Sequence, residues 1–318
     1  MSFYQVEELK ALYQDKLKYR LALLEKERMN VLWMALLCIA CIVIAVAGFN
    51  LGVLGNIVPW IFAIMSVPFV CVFFYRYRTF KVRFKEKVVQ EVINLIDTNW
   101  KYEHDNRIKD DVLYLANIFN RGDMDRIRGD DYIYGLWKNI PFQMSEVHIK
   151  KITEDSKGRK NESTIFHGLF TEIRFNKKIH SDTYIFSDRT EQFLGKFLGD
   201  FVQGLQMSRG DQVKLENPDF EKNFNCYSED QVEARYIITP VFMEKLLTLK
   251  NKLNCPIHFS FKGDSVYVAV AYSRELLEAQ VFKKYDTFEI IRTLYQELTT
   301  VCMIIEELKL NELLWTKS

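Results

Sequence analysis

Five histidines are the first residues to test for chemistry: His104, His148, His167, His180 and His258. A metal site carried on one element shows its ligands at short, regular spacings, and no HxH or HxxxH pair occurs here. His148 stands two residues after Glu146, and His167 follows the apolar Phe166 on a stretch of strand character. Ser145, Glu146 and His148 thus place a hydroxyl, a carboxylate and an imidazole close in sequence, as a candidate interaction or structural motif. Nucleophilic catalysis finds less support. There is no GxSxG, and Ser228-Glu229-Asp230 reads as a capping or turn motif, Ser228 with Gln231. Cys226 and His258 would form a thiol–base pair only if folding joined them, and Cys226 beside Phe224 and Tyr227 reads as a buried strand residue. Phosphate loops of the GxGxxG or Walker type are absent. Gly129-Asp130-Asp131 can hold Mg²⁺ through its carboxylates, but reads first as a turn with exposed acids. The expectation is no catalytic triad, no metal and no cofactor.

The segments that must position these residues begin with two apolar runs. Val31 to Phe49 and Ile57 to Tyr75 contain no charged residue. Each approaches the ~20 residues a helix needs to cross a bilayer core of ~30 Å. Lys and Arg crowd both outer flanks, while the connection from Asn50 to Asn56 has none. This asymmetry predicts a hairpin with both termini cytoplasmic. Trp33 and Trp60 sit near span ends, and Arg76, Arg78, Lys81 and Arg83 follow the second span, as membrane-interface residues facing the lipid headgroups. The spans carry no ionisable residue, so they read as an anchor and not an ion path; Pro68 is a kink position and Ser66 an interior hydroxyl. The start of the apolar run, well inside a charged segment, argues against a cleaved signal peptide.

Composition narrows the rest. Of 318 residues, 24 are Phe and 16 Tyr, enough for a substantial core, whereas 6 Pro and 13 Gly do not suggest disorder. A net charge of +1 excludes a strongly basic nucleic-acid binder. The six cysteines include no CxxC in the downstream domain and are expected as free thiols.

Leu9, Leu12, Leu17, Leu21 and Leu24 give a helix over about Val6 to Met29, and Val88 to Ile96 another, amphipathic helix. From Ile133 strands are predicted as IYGLW, IPFQMSEVHIKKI, TIFHGLFTEIRF and TYIF, with a turn at Lys138-Asn139 and a close approach or bulge at Gly168. A helix follows over about Arg189 to Gln206, then short strands or turns at VKL, FNCY and VEARYII. Thr239-Pro240 opens a helix to about Leu253. Ile257 to Tyr272 should be a β-hairpin turning at Gly263-Asp264, and a last helix should run from about Thr287 to Leu314, started by a capping box at Asp286 and Glu289. The expected fold is α+β: an N-terminal helix and transmembrane hairpin, then a cytoplasmic antiparallel sheet with packed helices. The divisions are residues 1–30 (amphipathic helix), 31–75 (hairpin), 76–107 (juxtamembrane basic helix and linker) and 108–318 (α+β domain).

The wording of the domain resembles a bacterial family of membrane proteins, the domain of unknown function 3137 family. The resemblance lies in Ile140-Pro141-Phe142-x-Met144-Ser145-Glu146-Val147-His148, Phe166-x-Gly168-Leu169-Phe170 with Phe175-Asn176-Lys177, Val213-x-Leu215-Glu216-x-Pro218-x-Phe220-Glu221, and Tyr227-Ser228-x-Asp230-Gln231-x-Glu233-Ala234-Arg235-Tyr236-x-x-Thr239-Pro240. It implies a bacterial inner (plasma) membrane location and a LemA-type membrane protein as a candidate partner, and supplies no catalytic residues. Within its last block, Asp230, Glu233, Arg235 and Tyr236 are candidate interaction or structural residues. The charged trio reads as a local ion-pair and capping latch before the Thr239-Pro240 helix. Together these readings give a membrane-anchored binding module, a scaffold or sensor, with the bilayer and another membrane protein as partners and self-association compatible. The alternative is an enzyme at the membrane surface.

Overall fold

The computed structural model describes residues 6–51, 57–187, 209–279, 281–284 and 287–308. They fall into two compact units: residues 1–96 with 277–297, and residues 97–276 with 298–318.

The first unit is helical. Helix α1 (Val6–Leu12) passes through a π-helical turn (Tyr13–Leu17) into α2 (Lys18–Leu51), with no break between the charged and the apolar halves. Helix α3 (Ile57–Phe84) returns through Pro68, and a second π-turn (Lys85–Val89) leads into α4 (Gln90–Ile96). The helices pack closely near the connection: a Cβ on Gly48 would come within 2.7 Å of Pro59 Cγ. Phe49 meets Trp60 edge to face at 5.3 Å. Nearer the charged ends, Leu17, Leu21, Leu24, Phe80, Phe84, Val88, Val92 and Ile93 are buried. Arg20–Glu91 (2.7 Å) and Arg83–Glu27 (2.5 Å) join the helices there, and Lys81 and Lys85 both bind Glu278. Between these ends the side chains from Trp33 to Tyr75 are largely apolar and exposed on both helices, Ile64 and Val67 for example. Helix α9 (Phe288–Leu298) belongs mainly to this unit.

The second unit is built on antiparallel strands β1 (Lys101–Glu103), β2 (Arg126–Trp137), β3 (Ile140–Glu154), β4 (Lys160–Ser187), β5 (Asp211–Gln212), β6 (Phe224–Ser228) and β7 (Ile257–Ala271). The path is β1-β2-β3-β4-β6-β5, with β7 also on β4. Register shows how one strand serves three partners. Residues 168–174 of β4 pair with 265–271 of β7, and residues 183–185 pair with 259–261. Ala271 N donates to Pro256 O at 2.9 Å, so the two ends of β7 meet. A fully extended strand of this length would hold its ends about 50 Å apart. The segment is therefore the predicted hairpin, with Gly263 at φ 61 in the turn. It sits between two arms of β4: the first also pairs with β3, the second with β6.

Local chemistry accounts for the elements. Lys138 (φ 50) and Asn139 (φ 65) make the left-handed turn between β2 and β3. Gly168 meets Val270 so closely that a Cβ would lie 2.1 Å from its carbonyl oxygen. The run at Val112 forms a short helix, α5 (Asp110–Ala116), ended by Asn117 at φ 49. One sheet face buries Ile149, Phe166, Phe170, Tyr184, Phe186 and Tyr267 with Leu113, Ile118 and Phe119. Beyond α6 (Pro218–Glu221), two helices follow in close succession: α7 (Gln231–Ile237) and α8 (Pro240–Leu253). Phe242 of α8 packs edge to face on Phe261 of β7.

Several sequence expectations change. VEARYII is helical because Asp230 caps it: its carboxylate accepts from Val232 N and Glu233 N at 2.8 and 3.0 Å, a role expected of Ser228. The last helix breaks at Thr299 between α9 and α10 (Thr300–Glu307). Asn50 remains in α2, so the connection is shorter than the apolar pattern indicated. The helix expected at 189–206 and the cap at Asp286 lie outside the described residues.

Candidate functional site

Strands β2, β3 and β4 bring the first group of predicted residues together with partners the spacing did not reveal. In register, Asp130 faces Glu146 and His148 faces His167. The Glu146 carboxylate crosses diagonally to His167, Oε1 to Nε2 at 2.7 Å. Its Oε2 accepts from Leu276 N at 2.7 Å. His148 stacks on His167 at 4.8 Å, and its Nε2 lies 3.2 Å from Thr164 Oγ1. Ser145 is different. Its hydroxyl is buried and accepts from Ile108 N at 3.1 Å, so it pins the entry to α5 and cannot serve as an exposed nucleophile.

Gly129-Asp130-Asp131 lies inside β2, not in an exposed turn. The ladder shifts between Asp130 and Ile133, a bulge that puts Asp131 at φ 56 and buries it. Asp131 accepts from the Tyr102 hydroxyl. Gly129 is required because a Cβ would collide with Glu146 O at 2.2 Å. The bulge turns Asp130 and Asp131 toward Glu146, with one oxygen of each within 4.8 Å of the others. Three such carboxylates can hold a divalent cation through oxygen. Both Glu146 oxygens already accept hydrogen bonds, so the arrangement is equally complete as a proton-sharing network.

Electrostatics divide the two histidines. The Glu146 carboxylate raises His167 above its ordinary value despite partial burial. His148 is pulled below, by burial first and then by the neighbouring His167 and Lys150. Burial pushes Glu146 up, against the His167 and Leu276 hydrogen bonds that stabilise its ionised form. His167 is thus the imidazole suited to carry charge near neutrality, and His148 the one suited to stay neutral.

In the second predicted group, Asp230 and Glu233 form a structural clamp, while Arg235 and Tyr236 stand outside it. Glu233 reaches from the first turn of α7 to β4, accepting from His180 N at 3.0 Å and Ser181 N at 2.6 Å. Arg235 bonds the carbonyl of Gln231, one turn back. Val232 and Tyr236 point outward, 78% and 64% exposed. Cys226 and His258 do not meet: the second arm of β4 separates β6 from β7. Burial raises the Cys226 thiol and lowers His258 to about 4, so both are neutral core groups. Of the residues expected at a membrane interface, Trp33 and Trp60 are 61% and 60% exposed, and Arg76 and Arg78 are exposed. Lys81 and Arg83 hold ion pairs.

Fold and site thus define an α+β protein with an antiparallel sheet, a carboxylate–imidazole network on it, and two long apolar helices. Residues 164–310 match the model of a family described as a protein of unknown function (DUF3137). No curated protein matches the chain. Among solved structures, the chain is similar to the crystal structure of the mycobacterial trehalose monomycolate transport factor A, TtfA. The identity is 10%, the match covers 70% of this chain and 93% of that one, and the TM-score is 0.35.

Proposed function

We propose that this protein is a membrane-anchored binding module, a scaffold or sensor at the bacterial inner membrane. One observation carries the anchoring: α2 and α3 are long and apolar enough to cross a bilayer, and their middle turns expose apolar side chains everywhere but along a narrow buried stripe on α2 at Val31, Cys38 and Ala45. In water such a surface would be an aggregation site, whereas hydrocarbon covers it without cost. The flanking Lys and Arg favour both termini, and with them the α+β domain, on the cytoplasmic side. The proposed partner is another membrane protein, of LemA type. Val232 and Tyr236 on α7, with Val241 at the start of α8, offer it exposed apolar contacts.

A second reading, a membrane-surface enzyme, rests on the Glu146–His167 pair beside Asp130 and Asp131. Alkaline carbonate extraction of native membranes tests the anchor: the chain should stay in the pellet, and release into the supernatant would refute it. Capture from mild detergent should return a membrane partner that Val232→Asp and Tyr236→Asp lose. A phenotype abolished by Glu146→Gln at unchanged stability and with partner capture intact would favour the enzyme.

A further inference from the structure

Arg209 is a buried cation with a specific surplus. Only 2% of the residue is exposed. Nε donates to Asn117 O at 2.7 Å and Nη2 to Ile118 O at 3.1 Å, which ties the guanidinium to the chain leaving α5. Its carbon lies 5.4 Å from the ring centres of both Tyr184 and Phe186. These contacts explain its position, but they leave Nη1 buried without a hydrogen-bond partner among the described residues. No carboxylate pairs with the group there either. Burial draws its pKa down to about 10, still charged at neutral pH. A buried charge without a counter-ion is costly, so an acceptor at this point would be strongly favoured.

Arg209 also lines a cavity of about 330 Å³ with Asn117, His180, Ser181, Asp182, Tyr184 and Glu229. That volume suits a small molecule. The lining limits its charge. Asp182 is already balanced by Lys262 Nζ at 2.7 Å and accepts from the Tyr184 hydroxyl at 3.1 Å. The exposed Glu229 adds a further negative charge to the lining. With Asp182 neutralised by Lys262, a phosphate dianion would bring two charges to the one buried cation, Arg209, beside the exposed Glu229, whereas a single carboxylate matches Arg209 one to one.

We propose that this cavity binds a small monocarboxylate whose oxygens pair with the Arg209 guanidinium. The site deepens the binding-module reading and rests on it, naming the ligand class the domain would sense. The test uses the full chain in detergent and follows its melting midpoint with sodium acetate, with inorganic phosphate, and with sodium chloride at matched ionic strength. Acetate should raise the midpoint saturably, with half-saturation on the order of 1 mM. Arg209→Met and Glu229→Trp, which fills the cavity from an exposed position, should each weaken the effect at least ~10-fold, the scale expected for losing a charge-assisted hydrogen bond. If Arg209→Met does not fold, Glu229→Trp decides. An acetate effect equal to that of chloride, or unchanged in a folded variant, would overturn the proposal. So would saturable stabilisation by phosphate but not acetate. Carbonate extraction and partner capture report on the anchor and the protein partner separately, so loss of this site leaves those readings standing.

Discussion

His167 Nε2 and Glu146 Oε1 meet at 2.7 Å across the β3–β4 pair, with Glu146 almost wholly buried and His167 at the sheet surface. The carboxylate reaches His167 diagonally, past His148, its partner in register. His167 gains this partner on folding, so its folded pKa lies above the ordinary 6.5. The stabilisation is fully present below about pH 6.5 and fades as pH rises through the folded value. We expect His167→Gln to lose more stability relative to wild type at about pH 5.5 than at about pH 8.5. Urea denaturation at the two pH values checks this, and a gap that widens with pH would contradict it.

Helix α7 separates its charged residues by role. Asp230→Ala removes an N-cap and should cost about 1 kcal/mol. Glu233→Ala strands the N–H groups of His180 and Ser181 and should cost about 1–3 kcal/mol. The exposed Arg235, which bonds Gln231 O one turn back, should change stability by less than about 0.5 kcal/mol on substitution by Ala. Thermal melts of the three variants should preserve this contrast.

Two glycines of the sheet should respond unequally. Gly168→Ala drives a methyl group to 2.1 Å from Val270 O at the β4–β7 ladder. It should cost about 3 kcal/mol or more, because backbone cannot rotate away as a side chain can. Gly263→Ala has open space around it and only the left-handed φ of 61 to bear, so about 1–2 kcal/mol is expected. Equal melting midpoints for the two variants would exclude the close approach as the controlling contact.

The proposed topology puts both chain ends on the cytoplasmic side. In a Cys-free background, a single Cys added at either terminus should resist an impermeant thiol reagent in intact cells and react after permeabilisation. Efficient labelling before permeabilisation would reverse the orientation.

The sequence by itself determined the elements whose signal is local. Two long apolar runs specify two long helices, the second continuing through Pro68. Thr239-Pro240 specifies a helix start, and its threonine hydroxyl accepts from Phe242 N at 3.2 Å. Lys138-Asn139 and Gly263 specify tight turns because few residues tolerate positive φ. Asp230 as the cap of VEARYII was equally local, yet its competition with strand-like Val and Ile was settled only by the N–H bonds it accepts. Tertiary structure alone decided the rest. Nothing near Glu146 in sequence names His167, Asp131 or Leu276 as its neighbours; strand register and a bulge in β2 do. Arg209 gave no motif, since a lone arginine becomes a candidate site only when packing against Tyr184 and Phe186 buries it with no counter-ion among the described residues. Long-range pairing couples residues tens of positions apart through space, and one-dimensional spacing carries no record of it.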